Sequence, residues 1–127
     1  MGRSDLKYLV DSVIVIDHLN GISPATAFLA DHAPQCAVSV ITRAEVLAGC
    51  DEGTGKAAEK LLNHFPALPV TVDIADLAAR LRRNERWKLP DAIQAAIAIE
   101  HKLILVTRNT RDFQPGRQPS VLIPYQL

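Results

Sequence analysis

Short apolar runs alternate along the chain with stripes of helical period, and the order of the two patterns predicts most of the architecture. Leu6 to Val10, an apolar run containing Tyr8 and ending at Asp11, predicts a buried strand rather than a helix. A helix is expected to begin over Ile14 to Leu19. The Asn20-Gly21 pair and Pro24 punctuate the chain, and Ala25 to His32 reads as a second helical piece stopped before Pro34. Cys36 to Ile41 is the second strand candidate. Thr42 stands three residues before Glu45 and just ahead of Val46 and Leu47, the signature of a capping box for a helix running to about Gly49 or Cys50.

The second half repeats the alternation. Lys56 to Phe65 is expected to be helical, and Pro66 and Pro69 flank a brief third strand around Leu68 to Val72. From Asp73 onward, Ile74, Leu77, Ala78 and Leu81 recur at i, i+3, i+4 and i+7, an amphipathic helix with its arginines turned outward. Pro90 stands where a helix can start, and Ala92 to Ile99 is apolar on nearly every face, which predicts a helix buried centrally. Leu103 to Thr107 is the fourth strand and Val121 to Ile123 a fifth. Strands alternating with helices imply βαβ units, hence an α/β fold of three layers, α/β/α, around a mostly parallel sheet of four to five strands.

Composition narrows the class. A chain of 127 residues, 48% hydrophobic and 22% charged, has the balance of one globular domain, residues 1–127, with residues 1–5 expected to be a flexible N-terminus. The apolar run Ala95 to Ile99 is far below the roughly 18 residues that span a bilayer, and the start lacks a signal peptide's apolar core. A cytoplasmic protein without membrane contact is expected. Cys36 and Cys50 are too few for a disulfide framework and have no zinc spacing, so both read as small hydrophobes. With zero net charge and a pI near 6.9, nothing global announces nucleic-acid binding. Local clusters do stand out: Arg80, Arg82, Arg83, Arg86 and Lys88 fall close together, and Arg108, Arg111 and Arg117 follow near the C-terminus. Either cluster alone reads equally well as a solvated face.

In open parallel sheets the functional crevice lies outside the carboxyl ends of the strands, which makes the residues just after each strand informative. Asp11 ends the first strand, Glu45 comes one helical turn after the second, Asp91 opens the buried helix, and Asn109 and Asp112 follow the fourth. Any one of these acids alone reads as readily as a cap or a solvated turn. Four together are different. Converging carboxylates repel unless a cation neutralises them, and oxygen-only ligands point to Mg²⁺ or Mn²⁺ rather than zinc. Asp91 is the most telling, since a carboxylate beside an apolar helix is costly to bury without a partner. Asp73 and Asp76 suit the first turn of their helix; Asp51, Glu52, Glu59, Glu85 and Glu100 read as surface residues. Asp17 is open between solvent and crevice. The four histidines share no pairing, and Gly53-Thr54-Gly55-Lys56 fails as a phosphate loop because Ala57 replaces the required hydroxyl and no strand precedes it.

Four segments carry a resemblance: Leu9-Val10-Asp11-Ser12-Val13-Ile14-Val15-Ile16-Asp17, Thr42-Arg43-Ala44-Glu45-Val46-Leu47-Ala48-Gly49, Leu89-Pro90-Asp91-Ala92-Ile93-Gln94-Ala95-Ala96 and Thr107-Arg108-Asn109-Thr110-Arg111-Asp112-Phe113. In order and spacing they are similar to the motif blocks of PIN-domain ribonucleases, and more narrowly of the VapC-type toxins of toxin–antitoxin pairs. That resemblance implies a PIN-like fold, Asp11, Glu45, Asp91 and Asp112 as a catalytic metal site, and Ser12, Thr107 and Asn109 as polar helpers. It further implies an RNA substrate, a homodimer and a small cognate antitoxin. Arg82, Arg83, Arg86, Arg108 and Arg111 become candidate contacts to the RNA backbone. One departure is Val13, at a position usually small and polar in this family, where a hydrogen bond is then missing. A catalytically silent PIN-like binding module is the alternative: the intact acidic quartet argues against it and Val13 for it. A phosphoryl-transfer enzyme would need an Asp-x-Asp pair that Asp11-Ser12-Val13 does not supply.

Overall fold

Five short strands, β1 (Tyr8–Val10), β2 (Cys36–Ser39), β3 (Ala67–Leu68), β4 (Ile104–Val106) and β5 (Val121–Leu122), form one sheet in the order β3-β2-β1-β4-β5. All four pairings are parallel, with Leu9 of β1 opposite Ala37 of β2 on one side and Leu105 of β4 on the other. This computed structural model describes residues 5–109, 113 and 118–127. Most of the expected flexible N-terminus, Arg111 and Asp112 fall outside the described residues.

The strands read as unbroken apolar runs because both faces of the sheet are covered, the usual state of a parallel sheet. Successive side chains then feed opposite layers. Tyr8 and Val10 join one core with Ile14, Val15, Phe28, Val46 and Leu62, under the helices α1 (Ser12–Leu19), α2 (Ser23–His32), α3 (Val40–Ala48) and α4 (Glu52–Leu62). Leu9 joins the other with Ile74, Trp87, Ile97, Leu105 and Phe113, under α5 (Val72–Glu85) and α6 (Leu89–His101). The apolar stretch Ala92, Ala95, Ala96, Ile97 and Ala98 is buried against the sheet, as its composition predicts. No described helix is long and apolar enough by itself to cross a membrane.

Some boundaries shift, each for a local reason. The strand expected over Cys36 to Ile41 ends at Ser39, whose hydroxyl accepts the Thr42 N–H at 2.9 Å. Ser39, not Thr42, is therefore the N-cap of α3. The β-branched pair Val40-Ile41 suggests a strand, but the cap supplies an acceptor for an otherwise orphaned donor of the first turn. Likewise α4 begins at Glu52 rather than Lys56, because Asp51 and Thr54 close a capping box that outweighs the low helix propensity of Gly53 and Gly55. Val72, expected at the end of β3, is the exposed first residue of α5, capped by Thr71.

The strand order sets the position of the site. From β1 the chain winds outward through β2 to β3, then returns to place β4 on the opposite side of β1. The order reverses between β1 and β4, and in open parallel sheets it is outside the carboxyl ends at such a reversal that functional sites lie. A hydrogen bond of 2.9 Å from the Asp11 N–H to the Val106 carbonyl keeps the residue after β1 stitched to β4 at that point.

Candidate active site

Asp11 occupies the reversal point itself and is held by three donors. Its Oδ1 accepts the Ser12 N–H at 2.9 Å and Gln94 Nε2 at 3.2 Å; its Oδ2 accepts the Thr107 hydroxyl at 2.7 Å. Thr107 Oγ1 in turn accepts the Asn109 N–H at 3.1 Å. Of the expected helpers, Ser12 and Asn109 make these contacts through backbone N–H groups and Thr107 through its hydroxyl. Val13 packs against the apolar core under α1, and Asp11 takes its three donors without it.

Gln94, which was not among the expected site residues, ties the surroundings together. Only 2% exposed, it donates from Nε2 to Asp11 and, at 2.8 Å, to Thr42 Oγ1, while its Oε1 accepts the Ser39 hydroxyl. Ser39 and Thr42 are fully buried as well. A buried amide must fill its donors and acceptor or lose several kcal/mol, and here both ends are filled. The available signal was a glutamine on an otherwise apolar helix, since a buried polar group needs partners.

This network orients the other acids by helix geometry, because residues three apart share a helix face. Asp91 lies three residues before Gln94 on α6, half-buried, in the helix's first turn, where the macrodipole favours an anion. Glu45 lies three residues after Thr42 on α3 and is exposed. Asp91 therefore stands one turn from Gln94, which bonds Asp11, and Glu45 one turn from Thr42, which bonds Gln94. The donors offered are all oxygen, the set a hard divalent cation takes. Among the described residues no three acidic, histidine or cysteine side chains come close enough to enclose an ion by themselves. Asp112, the expected fourth ligand, lies outside the described residues.

Asp17 turns away from solvent. It is 6% exposed and receives Arg108 Nε at 2.7 Å, Arg108 Nη2 at 3.1 Å and the Tyr125 hydroxyl at 2.7 Å. The Arg108 hydrogen bonds, helped by Tyr125, hold its carboxyl below the ordinary carboxylate range against the opposing effect of burial. Burial and the bond to Asp17 push the Tyr125 phenol well above its usual value. Two arginines expected at RNA make bonds within the chain instead: Arg108 with Asp17, and the exposed Arg82, whose Nη1 donates to the Trp87 carbonyl at 2.6 Å. Arg83 and Arg86 are exposed at the C-terminal end of α5.

A wholly parallel sheet that reverses its order beside Asp11 defines a doubly wound α/β domain. The PIN domain profile matches residues 8–115, and the chain belongs to the PIN domain family. Among curated relatives, Ribonuclease VapC19 of Mycobacterium tuberculosis is 35% identical over 121 residues, spanning 87% of this chain and 97% of the relative. Ribonuclease VapC10 of the same organism is 34% identical over 125 residues, 91% of this chain and 94% of the relative. A chain in a toxin–antitoxin complex from Klebsiella pneumoniae superposes with a TM-score of 0.88 at 37% identity, covering 95% of this chain and 100% of its own. FitAcB from Neisseria gonorrhoeae, 22% identical with a TM-score of 0.79 over 94% of this chain and 99% of its own, shares the fold.

Proposed function

We propose that this chain is a metal-dependent endoribonuclease, the toxin of a toxin–antitoxin pair, that cleaves RNA phosphodiester bonds. The observation that carries the reading is the Asp11 carboxylate clamped by three donors at the point where the sheet order reverses. The relatives named ribonucleases match along nearly their whole length, which supports the nuclease assignment.

The proposed ion is Mg²⁺ or Mn²⁺, held by Asp11 and Asp91 with Glu45 and Asp112 contributing directly or through water. Such an ion supplies charge that acidifies a water and stabilises the oxygens of an in-line displacement at phosphorus. The protein's part is preorganisation. With both carboxylate oxygens of Asp11 already bonded, the side chain does not have to be reoriented as charge develops, which is where binding energy contributes to rate. Arg83 and Arg86 are the proposed contacts to RNA phosphates, while Arg82 and Arg108 are bonded to Trp87 and Asp17 within the chain.

A cognate antitoxin protein and a homodimer complete the reading; the complex formed by the Klebsiella relative supports the first. The test is direct. Purified, antitoxin-free protein is incubated with total RNA in Mg²⁺, Mn²⁺ or EDTA, beside Asp11→Asn. Cleavage with metal, none with EDTA and none by the variant is the expected result. A wild type that binds RNA but cleaves nothing in either metal would leave the silent module standing instead.

A further inference from the structure

Among the described residues, Gln94 is the side chain whose hydrogen bonds reach Asp11, α3 and the β2 end together. Its Nε2 reaches Asp11 Oδ1 and Thr42 Oγ1, and its Oε1 takes the proton of Ser39. These partners lie 83, 52 and 55 residues away in sequence, so the amide joins α6 to two distant segments, the β1 end and the β2–α3 junction. Nothing in the chemistry of cleavage calls on an amide here. A structural filler would be apolar, because the surrounding positions Ala92, Ala95 and Ile97 of α6 are apolar and fully buried.

We infer that Gln94 is a positioning residue for the metal site: its amide fixes Asp11 Oδ1 and sets the rotation of α6 against α3, and so the spacing of Asp11, Asp91 and Glu45. The inference rests on the ribonuclease reading above and deepens it. Of the three donors to Asp11, the Ser12 N–H belongs to the adjacent residue and Thr107 to the adjoining strand end. Gln94 alone carries information about α6, the helix that bears Asp91. Removing its donors takes away one of the two bonds to Asp11 Oδ1, leaving Ser12 and Thr107 to hold the carboxylate, and uncouples Asp11 from the helix that bears Asp91. Outer-shell partners of ligands typically matter by about 10–100-fold in metal affinity or activity.

The test compares wild type with Gln94→Leu and Gln94→Met, both of which keep about the same volume and remove the amide donors and acceptor without adding a charge beside Asp11. Mg²⁺ affinity by titration calorimetry should fall by about 10-fold or more in both. The kcat for RNA cleavage should fall by a similar factor while KM stays near wild type. A merely structural role would lower the melting temperature and the active fraction without weakening Mg²⁺ binding. Should Gln94→Leu fail to fold, Gln94→Met, unbranched and closer to glutamine in shape, carries the comparison. The wild type gives a third reading that needs no variant, because the Gln94 side-chain amide resonances should move as Mg²⁺ is added. Wild-type metal affinity and kcat in a folded variant, or Gln94 resonances that stay fixed while the Ser12 amide shifts, overturn the inference on Gln94 alone. A wild type that takes up no divalent ion and cuts no RNA removes the ribonuclease reading itself, and the role of Gln94 with it.

Discussion

Asp17 and Arg108 meet in a two-pronged ion pair, Nε to Oδ2 at 2.7 Å and Nη2 to Oδ1 at 3.1 Å, that joins α1 to the segment following β4. Arg108 is the neighbour of Thr107, which bonds Asp11, so the pair anchors one side of the crevice from behind. Tyr125 adds a third bond and ties the C-terminal residues to the same carboxylate.

Breaking this pair should cost stability. Arg108→Ala leaves a buried carboxylate with Tyr125 as its remaining partner, and the expected loss is on the order of 2–4 kcal/mol, lowered from the fully buried range because Arg108 is 30% exposed. Urea denaturation measures it. A loss below about 0.5 kcal/mol would mean that the pair behaves as an ordinary surface bridge.

The same cluster sets a pH dependence at each extreme. Asp17 is held below its ordinary value of 3.8, so its contribution is present above that pH and fades as the pH falls through the lowered value. The stability advantage of wild type over Asp17→Asn should therefore shrink below about pH 4. Tyr125 is pushed above its ordinary value of 10.0, so its contribution holds below that pH and is lost as the solution becomes more alkaline. Tyr125→Phe should be less stable at pH 7 by about 1–2 kcal/mol, with the gap to wild type closing above pH 10. Parallel melting curves across the range check both signs.

Charge removal at the site should separate rate from fold. Asp11→Asn, Glu45→Gln and Asp91→Asn are each expected to lower cleavage by about 10²–10³-fold, the usual effect of removing one transition-state stabiliser. Asp11→Asn should also lose about 1–2 kcal/mol of stability, because the side chain gives up charge-assisted bonds from Ser12, Gln94 and Thr107. Single-turnover kinetics beside thermal melts would resolve the two; equal activity in all three variants would remove these acids from the mechanism.

The arginines should divide by partner. Replacing Arg83 and Arg86 with Gln is expected to weaken RNA binding and to lower the slope of log affinity against log salt by about 1 for each phosphate no longer neutralised. Arg82→Gln should act mainly on stability, by removing the bond to the Trp87 carbonyl. Filter binding at several salt concentrations tests the split, and an unchanged slope in the double variant would assign Arg83 and Arg86 to a solvated face.

Much of the fold was readable because its causes are local. Apolar runs between turn residues marked all five strands, the stripe Ile74, Leu77, Ala78, Leu81 marked α5, and the small apolar residues of α6 announced its burial. Boundaries slipped where two local signals competed, as at Val40-Ile41, strand-prone residues that the Ser39 cap draws into a helix. The acids Asp11, Glu45 and Asp91 could be singled out because each stands at a fixed offset from a strand end or helix start, which the chain order alone reveals.

Partner choice was not readable, because it depends on which segments the sheet order brings together. Gln94 sits one turn from Asp91 on an apolar helix, yet its meaning comes from Asp11, Thr42 and Ser39, all more than fifty residues away. Asp17 was open between solvent and crevice until Arg108 and Tyr125, 91 and 108 residues on, closed over it. A sequence specifies which residue types can pair; only the packed fold, by excluding water from some of them, decides which pairs must form.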